Sequence, residues 1–166
     1  MTRSILNLWP QAIGYAYAVF VAQVFTWPII NRMWTDLGIP RAVRPRHWQS
    51  VLLGMVERTL FVASLQAAKP EFIGIWLALK VAGQWQRWSE DKPHQLGGPV
   101  IVGREVFNIF LMGSALSIAY SVVGAKAIDW LTADKWTLGV GIPILLLVAS
   151  GILWAAVRKY TKDSSL

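Results

Sequence analysis

Cysteine is absent from the 166 residues, which removes disulfide bonds, thiolate nucleophiles and cysteine-ligated metal or iron–sulfur centres. Histidine is scarce: His47 and His94 are the only two. Both fall in polar connections, and without an HExxH pattern or a paired carboxylate–histidine arrangement no metal site is expected. No GxGxxG or glycine–lysine phosphate loop occurs; Gly97-Gly98-Pro99 and Gly103-Arg104 lack the required order, so neither a nucleotide nor another cofactor is expected. Charge is also thin, at 15% of residues against 55% hydrophobic. Those proportions suit a water-facing surface poorly.

What the chain has in quantity is apolar sequence in long runs. Val100 to Gly124 reads VIVGREVFNIFLMGSALSIAYSVVG, and Leu138 to Val157 reads LGVGIPILLLVASGILWAAV. The second run carries no charge and is about as long as the roughly 20 residues that cross hydrocarbon. A soluble fold would have to wrap it on every side, which so short a chain does with difficulty. Ten tryptophans support the same reading, because a membrane interface favours a ring with an apolar body and one polar donor. Trp9, Trp27, Trp34, Trp48, Trp85, Trp88, Trp130, Trp136 and Trp154 lie near segment ends. Trp76 is the exception. The expected fold is therefore an all-α integral membrane protein, a single domain over residues 1–166 with five hydrophobic helices that include a short central hairpin.

The first segment runs from about Pro10 to Ile30; an early Arg3 without a small-residue cleavage site marks it as retained rather than as a removed signal peptide. A loop or interfacial stretch, NRMWTDLGIPRAVRPRHWQS, follows. The hairpin arms are Val51 to Ala68 and Phe72 to Trp88, joined at Lys69-Pro70-Glu71, where proline and an early carboxylate suit a helix start. Arms of about 17 or 18 residues leave a full span and a re-entrant loop both open.

Positive charge sets the orientation. With a hairpin, Arg3, Lys69, Lys126 and Lys135 lie on one side, four in all, against ten on the other: Arg32, Arg41, Arg44, Arg46, Arg87, Lys92, Arg104, Arg158, Lys159 and Lys162. A single crossing of the same stretch, with Lys69 left out as intramembrane, divides the rest seven against six. The hairpin is preferred, placing the N-terminus outside and the C-terminus in the cytoplasm, with the bacterial cytoplasmic membrane as the expected location. Most of the net charge of +7 is then topological, and no specific nucleic-acid partner is expected.

Glu57, Arg58 and Lys80 sit inside apolar segments, where exposure to lipid costs roughly 2.5 to 3.5 kcal/mol each. Counting along helices puts Glu57 about 9 Å and Lys80 about 12 Å below the same cytoplasmic end, so the two are able to pair. Arg104, Glu105 and Asn108 enter the fourth segment from that side, and one polar cluster of all six residues is expected. Glu57 and Arg58 point about 100° apart, so one faces Lys80 while the other faces Arg104, Glu105 or another subunit. Internal ion pairing, snorkelling to headgroups, or a ligand site all fit these residues.

Gly113, Ser117, Ser121 and Ala125 recur every four residues and form a narrow face for close helix approach, within one chain or between two. The basic loop Arg41, Arg44, Arg46, His47 and Trp48 suits anionic headgroups of the cytoplasmic leaflet. Tyr120 reads as a packed aromatic rather than a catalytic phenol. The first functional expectation is a noncatalytic membrane protein that assembles into an oligomer or a conduction or translocation unit. The second is a small intramembrane lipid-modifying enzyme, with Glu57 exchanging a proton and Arg58, Lys80 and Arg104 stabilising an anionic headgroup; it lacks a nucleophile. The third is an accessory subunit of a larger membrane complex. Membrane lipids and a second copy or another membrane protein are the expected partners.

Overall fold

The computed structural model describes residues 8–38, 47–89 and 103–163, without the side chains of 47, 84, 86–89, 104, 153 and 156–163. Five helices make up this part: α1 Trp9–Asp36, α2 His47–Gln66, α3 Glu71–Ser89, α4 Gly103–Thr132 and α5 Trp136–Asp163. There is no strand among the described residues.

Helix ends follow local chemistry. Pro10 occupies the first turn of α1, where its missing N–H costs nothing. Gly38, at φ 66°, ends the same helix in the left-handed conformation. At the far end of α2, Lys69 N–H bonds to Ser64 O and Ala68 N–H to Leu65 O, the paired bonds of a Schellman cap. At the end of α4, Lys135 N–H bonds to Trp130 O and Asp134 N–H to Leu131 O in the same pattern. Both caps place a non-glycine residue, Ala68 or Asp134, at positive φ.

The helices extend past the ends expected from the sequence. α1 continues beyond Ile30 through Asn31–Asp36, because Pro28 removes one backbone bond without breaking the helix and no further breaker occurs until Gly38. The stretch from Asn31 is thus partly helix rather than loop; its middle, 39–46, lies outside the described residues. α2 and α3 have 20 and 19 residues, each about 30 Å long. Gln66 at the end of α2 reaches Ala125 O and Asp129 near the end of α4. The turn end of α2 therefore lies level with the last turns of α4.

α4 is the hub and touches the other four helices. Around it the order is α3, α2, α1, α5, as an arc. Successive helices run in opposite directions. α1 crosses α4 most closely at Gly14 and Gly124: a Cβ built on Gly14 lies 2.6 Å from Gly124 O, and one on Gly124 lies 2.7 Å from Gly14 O. Beside this crossing Ala18, Val62, Ala125 and Ile128 form one small core. Tyr17, Ala22 and Tyr120 form a second, in which Tyr17 donates to Pro143 O and Tyr120 bonds Ser150 at 2.7 Å. These bonds tie α1, α4 and α5 together.

Two tryptophan levels mark the bundle. Trp9 stacks on Trp136 with ring centroids 4.8 Å apart. Trp154 lines the same small cavity as Pro28, the neighbour of Trp27. Trp9 and Trp27 of α1, which also carries Trp34 seven residues further on, are eighteen residues apart, as are Trp136 and Trp154 of α5, a separation of about 27 Å at 1.5 Å per residue.

Two substitutions test the packing. Gly124→Leu is expected to lower stability by at least about 2 kcal/mol, since the crossing backbones leave no room. Ala68→Gly is expected to raise it by roughly 0.5 to 1 kcal/mol by removing the Cβ from a left-handed position. Thermal unfolding followed by circular dichroism in detergent reads both signs.

Candidate functional site

The charged side chains of the apolar segments meet on the two flanks of α2. Glu57 is 4% and Arg58 1% exposed. An ionised group buried so deeply is stable only with partners, and each finds them in a different neighbour.

Glu57 turns to α3. Its Oε1 accepts from Lys80 Nζ at 2.6 Å and from the Trp76 indole N–H at 3.2 Å. Lys80 is 17% exposed along its side chain and its ammonium also lies 4.9 Å from the centre of the Phe110 ring on α4, a cation–π distance. The carboxylate, the ammonium, the indole and the phenyl ring close on one another. Trp76, the one tryptophan away from the segment ends, is thereby explained: it is a hydrogen-bond donor to a buried carboxylate rather than an interface anchor.

Arg58 turns the other way, to α1. Its Nη2 donates to Gln23 Oε1 at 2.5 Å and, over a longer 3.4 Å, to the carbonyl of Val19. Val19 belongs to Tyr17–Val21, a single π turn inside α1, in which Ala22 N–H bonds back to Tyr17 O. Such turns recur at functional sites. The Arg58 carbonyl accepts from Ser121 of α4 at 3.5 Å, and Ser121 also bonds Ser117 O at 2.8 Å. Arg58 Nε has no hydrogen-bond partner among the described residues.

The expected six-residue cluster is thus only partly assembled. Glu57 and Lys80 meet. Arg58 departs from the expectation, facing Gln23 and Val19 rather than Arg104, Glu105 or another subunit, because the 100° between adjacent helical residues aims it at α1. Glu105 and Asn108 are exposed on the first turns of α4, and the Arg104 side chain lies outside the described residues. The small-residue face is placed inside the bundle: Ser117, Ser121 and Ala125 are buried, and a Cβ on Gly113 would lie 3.5 Å from Ile30 of α1. Of the basic loop, Arg41, Arg44 and Arg46 lie outside the described residues, His47 opens α2, and Trp48 is exposed. No three His, Asp or Glu side chains gather as a metal site among the described residues.

Gln23, Phe110 and the Tyr17–Tyr120–Ser150 link were not anticipated from the sequence. A lone carboxamide in the apolar run AYAVFVAQVF was the available signal for Gln23, since a buried amide needs partners as a buried charge does.

An apolar groove of about 640 Å³ lies on the outer side of the α1–α2 pair, lined by Phe20, Gln23, Val24, Trp27, Pro28, Val51 and Met55. Gln23 is the polar residue in it. Comparison with protein families, with curated proteins and with solved structures gives no significant match. Function therefore rests on the geometry of these side chains.

The Glu57–Lys80 pair predicts a specific double-mutant result. Lys80→Met alone strands a buried carboxylate and is expected to destabilise by roughly 3 to 5 kcal/mol, while combining it with Glu57→Gln recovers most of that loss. Unfolding in detergent by urea titration measures the coupling.

Proposed function

We propose that this chain is a five-span integral protein of the cytoplasmic membrane, N-terminus outside and C-terminus inside, that acts as a membrane-embedded subunit by assembly rather than by turnover. The supporting observation is the distribution of apolar surface. α1 and α4 contain stretches long and apolar enough to cross a membrane, yet only 33% and 28% of those stretches are buried. The core helix of a soluble protein is mostly buried. Phe20 and Val24 on α1, Leu52 and Val56 on α2, Leu79 on α3, Leu111 on α4 and Leu145 and Ile152 on α5 all face outward, while serines, Glu57 and Arg58 face inward. Water disfavours that arrangement over so much contiguous surface; lipid favours it. The tryptophan levels, about 27 Å apart, match the hydrocarbon thickness of roughly 30 Å with indoles at both interfaces.

Along the sequence, the segments assigned to the cytoplasmic side hold ten of the lysines and arginines, from Arg32 to Lys162, and those assigned to the other side hold four. That asymmetry supports the cytoplasmic side at α1's C-terminus, with Trp48 and the basic loop on anionic headgroups.

Assembly is favoured over conduction and over catalysis by the engagement of the buried carboxylate: Glu57 is held by Lys80 and Trp76. A proton-exchanging carboxylate needs access that this one lacks. The arc of helices also leaves one side of α4 uncovered between α3 and α5, where Leu111, Ala115, Ala119 and Val122 are exposed. A helix from a second copy or from another membrane protein would complete the ring.

Because the chain has no cysteine, single cysteines report topology directly. In right-side-out vesicles, Lys69→Cys and Lys135→Cys are expected to react with a membrane-impermeant maleimide and Lys162→Cys to react only after permeabilisation. Equal labelling of all three, or a chain that stays in the aqueous fraction, rejects the reading. Proteoliposomes are expected to show no ion flux that Glu57→Gln abolishes; such a flux would restore the conduction alternative.

A further inference from the structure

We infer that the α1–α2 groove receives a transmembrane helix of a different protein, and that an aspartate or glutamate on that helix, seated against Gln23, supplies the negative charge that Arg58 lacks. The inference rests on the membrane reading above and names the class of partner.

Charge balance is the starting point. Among the described residues, the interior of the bundle holds one carboxylate, Glu57, and two cations, Arg58 and Lys80. Glu57 pairs with Lys80, which leaves the guanidinium with an amide oxygen and a backbone carbonyl. Those are dipoles, not charges. Arginine remains protonated in proteins and carries five N–H donors; both bonds seen here leave from Nη2, and Nε has none. Intramembrane cations are normally paired.

Gln23 carries this deficit to the surface. Arg58 only donates, so the amide must present Oε1 to it and turn its NH₂ away. No hydrogen bond to that NH₂ is seen among the described residues, and Gln23 lines the groove. A donor polarised by a cation behind it is a good partner for a carboxylate.

Depth selects the occupant. Gln23 lies four residues inward of Trp27, about 6 Å below the interfacial tryptophan level. A phospholipid phosphate belongs outside that level, whereas a helix can carry a carboxylate at any depth. The remaining lining, Phe20, Val24, Trp27, Val51 and Met55, suits apolar side chains of such a helix. Among its described residues a second copy of this chain offers no free carboxylate at this depth, since Glu57 is engaged and Asp36 and Glu105 lie at helix ends.

The test uses the full-length protein in phosphatidylcholine vesicles and a synthetic leucine–alanine transmembrane peptide bearing one Glu four residues inward of its terminal Trp, with a Gln twin. Association is read by energy transfer. The Glu peptide is expected to bind at least tenfold more tightly than its twin. Gln23→Leu should remove that difference, and Gln23→Glu, which supplies the anion within the chain, should remove it while raising the melting temperature. Equal binding of the two peptides overturns the proposal. So does a Glu preference that Gln23→Leu leaves intact, or one erased by phosphatidylglycerol vesicles, which would make the groove a lipid site. Failure of the membrane reading is seen separately, as a chain that does not insert in the cysteine-labelling experiment.

Discussion

Two adjacent ionisable residues on one buried helix cannot share a partner, and the arrangement of α1, α2 and α3 follows from that constraint. Glu57 and Arg58 point about 100° apart, and each, stripped of water, needs a polar neighbour within hydrogen-bond reach. α3 must present Lys80 and Trp76 on one flank of α2 while α1 presents Gln23 and the Val19 carbonyl on the other. α4 then closes the assembly from behind, with Ser121 bonded to the Arg58 backbone and Phe110 under the Lys80 ammonium. Replacing such a network by apolar packing is often neutral for stability, but removing a single member is not. Its worth is in fixing which helices are neighbours.

Most of the architecture was legible in the residues, for physical reasons. Long apolar runs bounded by Pro10 and Pro70 define helices in any solvent, and the similar depths of Glu57 and Lys80 along their helices, about 9 and 12 Å, left the two able to pair. The limits of legibility are equally specific. Helix ends drifted outward because interfacial segments such as Asn31–Asp36 are polar in composition yet contain no proline or glycine to stop the helix. The face of Gly113, Ser117, Ser121 and Ala125 reads identically whether it packs within a chain or between chains; the bundle uses it internally. Arg58 could be aimed by helical geometry but not assigned a partner, because that required knowing which helix lay on the far side of α2. The π turn has no sequence signature at all: Tyr17–Val21 contains neither glycine nor proline.

The distribution of polarity departs from that of a water-soluble bundle. Serines, a carboxylate and a guanidinium share the interior with apolar residues such as Phe61, Val62 and Ile128, while aliphatic side chains also lie on the outside. In the lipid setting proposed above, the outward aliphatic surface would contribute little to holding helices together, leaving that to close backbone approach and hydrogen bonds. The Gly14–Gly124 crossing and the Tyr120–Ser150 bond are those two devices.

The widened turn of α1 has a consequence for helical phase. Pro10, Gly14, Ala18, Ala22 and Thr26 are buried at intervals of four residues, and a uniform α-helix would rotate such a stripe by about 40° per step. The i→i+5 turn absorbs part of that rotation, so one continuous stripe keeps facing its neighbours along the length of α1. Rewinding Tyr17–Val21 as regular α-helix with no change in its length would swing everything beyond it, Gln23 included, to a new azimuth. The winding of this segment, more than the identity of its side chains, sets the alignment between the two halves of the helix.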